Sequence, residues 1–352
     1  MLVCLIDIAL NFRFTTSDAA GNVWQAGTLE WLPNGIYGPR SVPLVEDRDP
    51  LWHRPSLARE VEDGRYFLPG TTTGGRETLV TGPFDTAPQY VLLVPGPSWR
   101  SFWAAVFMAA FFLLLTVKAV TPALVCGLLC ICFVFAWLWQ TDPGPGPDVH
   151  IGAGIKLPTY MTGSASHSWW AMIILVLVSA SLFLSLVFSY FYTWTVSAHV
   201  WPQSVEDRLP ALAWPTASAG CLLAGAAALM AARAALRRSG RWSIAAFRIA
   251  LLVSAAAIGS ATLLEVLAQI QAGVRPADTS YAALVYAAIV IQAQIAVAFV
   301  LMALYTLARS LAGLLDSARR VTFDNSWCFG CYVVVQGLLT VMIVHAAPRL
   351  AV

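Results

Sequence analysis

From about residue 99 onward the chain alternates long apolar runs with short polar links. Seven of these runs hold about 17–25 or more predominantly apolar residues, the length a helix needs to cross a hydrocarbon layer about 30 Å thick. They are roughly Ser101–Val117, Val120–Trp139, Ser168–Val196, Ala211–Ala232, Ser243–Gln271, Tyr281–Ala308 and Trp327–His345. Pro122 falls in the first turn of the second run, where a missing N–H costs little. The first two runs almost touch in sequence, which predicts a tight helical hairpin. The longer link Thr141–Ser166, rich in Gly and Pro at its start, sets this pair apart from the other five. The pattern predicts an all-α polytopic membrane protein with seven transmembrane helices in a 2+5 arrangement.

The front of the chain looks different. Residues 13–98 carry dense turn signals, among them Pro33-Asn34-Gly35, Leu68-Pro69-Gly70 and Pro95-Gly96-Pro97, and no long periodic segment. This predicts an extended Pro/Gly-rich arm with one short strand at Gln89–Val94. Met1–Phe12 is apolar but spans only about 18 Å as a helix, so it reads as the end of a transmembrane helix whose beginning is missing. It has no basic start and no small-residue cleavage site, unlike a signal peptide. The chain thus divides into residues 1–98 and a seven-helix domain, 99–352.

Composition sharpens the class. Hydrophobic residues make up 58% and charged residues 11%, against about 45–50% and about 25% for soluble domains. Mean hydropathy is +0.69. These values exclude an ordinary soluble enzyme and a disordered chain, and a net charge of +2 gives no reason to expect a nucleic-acid partner. Basic residues in the links set orientation. Nine (Lys156, Arg233, Arg237, Arg238, Arg241, Arg248, Arg309, Arg319 and Arg320) fall on the side of the arm, which adds eight more, and four (Lys118, Arg208, Arg275 and Arg349) on the other. The expected topology is a cytoplasmic arm and an outside C-terminus. Cys328 and Cys331 form a CxxC with no second pair or nearby histidine, so packing is expected of them. The five histidines (His53, His150, His167, His199 and His345) are scattered, which predicts no haem or copper site in this chain.

The segment Gly27-Thr28-Leu29-Glu30-Trp31, followed by Pro43 and Pro50-Leu51-Trp52, resembles the cytoplasmic tail of subunit I of haem–copper terminal oxidases, where a TLEW signature follows the last membrane helix. Residues 99–352 resemble subunit III of the same oxidases, with seven helices split two plus five around a lipid-filled cleft. Ser179-Ala180-Ser181-Leu182-Phe183, Phe188-Ser189-Tyr190-Phe191-Tyr192 and the approach Leu157-Pro158-Thr159-Tyr160 carry that likeness. The order resembles bacterial chains in which subunits I and III are fused. The resemblance implies an accessory subunit with no cofactor of its own. Haem and copper would lie in a partner catalytic subunit, and the partners would be oxidase subunits I and II and membrane phospholipids. The expected location is the bacterial inner membrane. Subunit III commonly carries a glutamate on its third helix and histidines on its sixth; here those neighbourhoods read Ser179-Ala180-Ser181 and Gln292 with Gln294.

Few residues in the spans carry chemistry. Glu265 is the carboxylate well inside a full span, and an ionisable group in lipid costs about 2.5–3.5 kcal/mol or more. Either a hydrogen bond to a neighbouring helix or a proton or lipid role would account for it. Arg233, Arg237, Arg238 and Arg241 form the densest basic cluster, a topology signal and a candidate site for anionic lipid head groups. Asp7 in the first apolar segment is expected to face another helix in an intact oxidase core. Gln292, Gln294 and Gln336 are expected to bond between helices. Gly220, Ala224 and Ala228, with Ala255 and Gly259, form small-residue stripes suited to close contact. Trp137, Trp139, Trp169, Trp170, Trp194, Trp201 and Trp327 lie near span ends and suggest an interfacial belt. No nucleophile elbow or P-loop occurs. Two other readings stay open: a small-molecule transporter, although internal repeats and paired broken helices are lacking, and a non-functional fragment of a split or mis-started gene.

Overall fold

A computed structural model describes residues 2–11, 22, 24–32, 43–63, 65–66, 68–70, 77–82, 84–96, 98–141, 144, 146–161, 166–202, 209–238 and 240–350. Its helices and strands run in the order α1 (Leu2–Asn11), a 3-10 turn (Leu29–Trp31), α2 (Pro50–His53), α3 (Leu57–Glu62), β1 (Glu77–Thr81), β2 (Pro88–Leu93), α4 (Trp99–Thr116), α5 (Val120–Thr141), β3 (Val149–His150), β4 (Lys156–Leu157), α6 (His167–Val196), α7 (Ala213–Leu236), α8 (Arg241–Gln271), α9 (Ser280–Leu311) and α10 (Val321–Val341). The last helix continues through a π-helical turn (Met342–Ala346) into α11 (Ala347–Leu350). Among the described residues, seven helices are long and apolar enough to cross a bilayer. They match the seven apolar runs, with ends shifted by a few residues. The largest shift is in the last: α10 starts at Val321, six residues ahead of the expected Trp327. The polar stretch Thr322–Ser326 hides its first turns in the sequence. Those turns are helical because Arg320 Nε holds Asp324 Oδ2 at 3.1 Å and Ser326 Oγ bonds back to the Thr322 carbonyl.

The chain folds as two compact units. One comprises Met1–Val80 and Tyr90–Thr159, the other Thr81–Gln89 and Tyr160–Val352. In the first unit α4 and α5 pack as a hairpin. Three residues join them, and Lys118 takes a left-handed φ of 60° to make the reversal. Phe107 stacks on Phe133 at 5.5 Å, and Gly127 lets the Phe111 ring approach.

The same unit holds small structures where the sequence suggested an extended arm. Leu32, Leu57 and Val61 form a minor core. The TLEW turn is tied to α2: Leu51 N donates to the Gly27 carbonyl at 2.9 Å and Trp52 Nε1 to the Gln25 carbonyl at 2.7 Å. Gly27 has to be glycine, because a Cβ there would sit 2.6 Å from Asp49 Cβ. The expected strand at Gln89–Val94 is β2, one residue early. It pairs with β1, which the sequence did not signal, and Val91 N also bonds to the Pro158 carbonyl. In α1, Asn11 Nδ2 donates to Asp7 Oδ1 at 2.7 Å, and Asp7 is exposed in this chain.

Glu60 in α3 is the centre of a polar knot. It accepts from Tyr66 OH, from Ser56 Oγ at 2.8 Å and from Arg54 Nη2 at 2.6 Å, with Arg65 Nη1 at 3.3 Å. The Tyr66 hydrogen bond, then that of Ser56, hold its carboxyl below the usual value of 4.5, with smaller help from Arg54 and Arg65 against partial burial. A carboxyl lowered in the folded state stabilises fully above its ordinary value and loses that contribution as pH falls through the lowered one. Acidification below about 4.5 is therefore expected to release Tyr66, seen as a shift of its ring resonances, and Glu60→Gln is expected to abolish that pH response.

The second unit is built on α7 to α10, with α6 packed on α9 and α10. Its core centres on Leu229, Phe247, Leu251, Ile258, Phe299 and Val333, all fully or almost fully buried. The buried face of α7 carries Ser218, Leu222, Gly225, Leu229 and Ala232, and it meets α8 at Ser218, whose hydroxyl donates to the Ala261 carbonyl at 3.2 Å, and at Gly225. It does not use the expected Gly220–Ala224–Ala228 stripe, where Gly220 and Ala224 are exposed. Gly225 is the close approach: a Cβ there would lie 2.7 Å from Ile258 Cγ1. Gly259 likewise meets only Val300 at ordinary distance. On α10, Gly330 and Gly337 are seven residues apart, and their missing side chains admit Phe299 with Leu229, and Gln292 with Leu222.

Candidate functional site

The most isolated polar chemistry in the five-helix unit lies where α8 meets the end of the last span. Glu265 sits on the buried face of α8, between Ala261 and Ala268, whose small side chains open space around it. Opposite is His345, inside the π-helical turn. The cause of that turn is local. Pro348 has no N–H to give to the Val344 carbonyl, and its ring crowds that carbonyl, so the regular i to i−4 ladder cannot continue. Widening the turn re-aims the ring of His345 inward. Its Nε2 lies 2.7 Å from Glu265 Oε2, and the two side chains are 3% and 5% exposed. Arg349 Nη1 caps the His345 carbonyl at 2.6 Å, and its Nη2 donates to the Pro210 carbonyl.

Among the described residues, Glu265 Oε1 and His345 Nδ1 are buried and have no hydrogen-bond partner. Beside the carboxyl is a small cavity, large enough for about one water molecule. Its polar lining comes from four helices: Ser218 on α7, Thr262 and Glu265 on α8, Gln292 on α9 and Thr340 on α10. A chain of polar groups leads away from it along α10. Thr340 Oγ1 donates to the Gln336 carbonyl at 2.9 Å, Gln336 Nε2 to Gln292 Oε1 at 3.3 Å, and Gln292 Nε2 to the Val333 carbonyl at 3.1 Å. Tyr332 OH closes it on Gln336 Oε1. Gln292 and Gln336 thus make the expected inter-helix bonds, whereas Gln294 is exposed.

At the other end of the unit, the arginine cluster separates. Arg233 lies 3.6 Å over the Trp327 ring, a cation–π contact. Arg233 and Arg237 also act on Asp324, which pairs with Arg320. Arg237 and Arg238 are exposed, and the Arg241 side chain lies outside the described residues. Arg248 ties α8 to α9 through Ser310, at 3.0 Å to its hydroxyl and 2.6 Å to its carbonyl. In the link after α9, Asp316 is drawn up by burial, but hydrogen bonds from the Arg319 side chain and backbone and from Ala318 N outweigh this and lower it.

Trp201 departs from the expected belt. It is buried between Tyr190 and Tyr281, with Trp194 stacked parallel at 6.1 Å. At the TLEW segment, Leu29 and Glu30 are exposed and Thr28 and Trp31 half-buried. At the third span, Ser181 Oγ is satisfied by the Leu177 carbonyl at 2.9 Å. Cys328 and Cys331 are free thiols. Among the described residues, no group of three or more His, Cys, Asp or Glu side chains comes together to hold a metal ion.

His345 is the residue that sequence reasoning set aside as scattered. One signal marks it. Glu265 lies six residues before the end of its span, and His345 lies near the end of a span of the same direction, so the two stand at similar depth.

The fold and its apolar helices define a helical, multi-pass membrane protein. No protein-family model matches the chain, and no curated protein matches it.

Proposed function

We propose that the chain is an accessory membrane subunit of a bacterial aerobic terminal oxidase of the haem–copper type, corresponding to the C-terminal part of a fused subunit I and III. The observation that carries this reading is an order along the chain. A TLEW turn bound to the Pro50-Leu51-Trp52 helix comes first, then two spans in one compact unit, then five in another. In this reading oxygen reduction and proton translocation take place at haem and copper in a partner subunit. This chain packs against subunits I and II and holds phospholipid. The exposed Arg237 and Arg238, with Arg233 and Arg241 nearby in sequence, offer charge to anionic head groups. The arm is cytoplasmic and the C-terminus periplasmic, as the loop charges suggest, and the membrane is the inner membrane, as the oxidase resemblance implies.

The test is a pull-down of the tagged chain from native membranes in mild detergent, followed by a reduced-minus-oxidised optical spectrum. Haem absorbance that co-purifies is the expected result; a haem-free, partnerless chain would overturn the proposal. A transporter is the second reading, favoured by the buried Glu265–His345 pair beside a polar cavity. Substrate-dependent flux by the isolated chain in proteoliposomes would select it.

A further inference from the structure

We propose that Glu265 and His345 form a proton-exchange site inside the five-span unit, loaded through the cavity that Glu265 lines. The inference does not rest on the oxidase reading. Its geometry has three parts. Glu265 Oε2 and His345 Nε2 are 2.7 Å apart, so one proton lies between a carboxyl and an imidazole and passes from one to the other with no change in the pair's net charge. Glu265 Oε1 is buried without a partner among the described residues, and its side chain lines a cavity with room for about one water. At the far end, His345 Nδ1 is equally buried and unpartnered.

A pair that served only to join two helices would have its outer atoms bonded, because a buried polar atom without a partner is costly. Here neither outer atom has a hydrogen-bond partner among the described residues. A hydronium ion in the cavity gives a proton to the Glu265 carboxyl group and leaves as water, the proton between Oε2 and Nε2 passes to Nε2, and the reverse steps return a proton to a cavity water. The site takes up one proton and gives one back, and no bond to carbon forms or breaks. The π-helical turn supports this use, since it holds the ring in a wider turn than an α-helix provides.

The groups around the pair are mostly neutral. From α7 comes Ser218, and from α9 Gln292 and, near its start, Tyr281. The same end of α6 carries Tyr190, and Gln269 lies one turn along α8. The cation is Arg349, held to the His345 and Pro210 carbonyls.

The experiment uses the full chain in phosphatidylcholine vesicles and records infrared difference spectra on pH steps and on exchange into D2O. The expected result is carboxyl and imidazole bands that respond together to both changes while the protein stays folded. Glu265→Gln should remove the carboxyl band, His345→Asn should remove the ring band and displace the carboxyl band, and Thr340→Val should slow deuteration several-fold. Bands assigned to Glu265 that ignore both pH and D2O until the protein is unfolded would overturn the proposal. If the Glu265 variant does not fold, nitrogen-15 spectra of labelled histidine in the unmodified chain decide it. A buried ring that changes protonation in step with a carboxyl band supports the site, and a ring static across the same buffers refutes it.

Discussion

Glu265→Leu is expected to destabilise the five-span unit by about 3–5 kcal/mol, and adding His345→Phe is expected to restore most of that loss. The reason is asymmetric. The single substitution leaves an imidazole buried at 3% exposure with neither ring nitrogen bonded to a side chain, and such a group keeps its desolvation cost while losing its partner. The double substitution removes both polar groups and puts apolar volume in their place, which is often neutral or stabilising for a buried pair. A double-mutant cycle on reversible unfolding in mixed micelles measures the coupling directly. Near-additive losses would show that the 2.7 Å contact contributes nothing to stability.

Gly330→Leu is the second large effect. A Cβ at Gly330 would lie 2.5 Å from Phe299 Cε2 and 2.7 Å from Leu229 Cδ2. Phe299 and Leu229 are fully buried and belong to the main core, so neither has free space to move into. Overfilling a packed core costs about 1–3 kcal/mol, occasionally more, and here it also forces α10 away from α7 and α9. The displaced helix carries His345, so its contact with Glu265 should loosen as well. The matched control is Gly220→Leu on α7, where a Cβ meets nothing within 4 Å. Thermal unfolding in detergent should show a clear drop for the first and little or none for the second. Equal drops would mean that helix geometry, and not the close approach at α10, sets the sensitivity.

Particular residues show how far the sequence reached. All seven apolar helices were legible, because each carries its own signal: about twenty apolar residues need no knowledge of neighbours to be read. The start of the last span was not, since Asp324 looks like a loop residue until Arg320 is seen beside it. Glu265 stood out as a carboxylate in lipid, yet its partner did not. His345 lies 80 residues away, and no local rule links two positions on different helices. The stripe of small residues was misplaced for a related reason. Periodicity gives spacing along α7 but leaves its rotation open, and the packed face proved to be that of Gly225 and not of Gly220.

By itself, then, the sequence determined the kind of protein: helix number, approximate span limits, a polar front and one costly carboxylate, all properties written in local composition and length. Tertiary structure alone decided the rest. It chose which face of each helix is buried, brought Gln292 to Gln336 and Arg233 to Trp327, and widened the last span into a π-helical turn where His345 meets Glu265. Those choices depend on the rotation and depth of whole helices, which are set by the shapes of all their neighbours together.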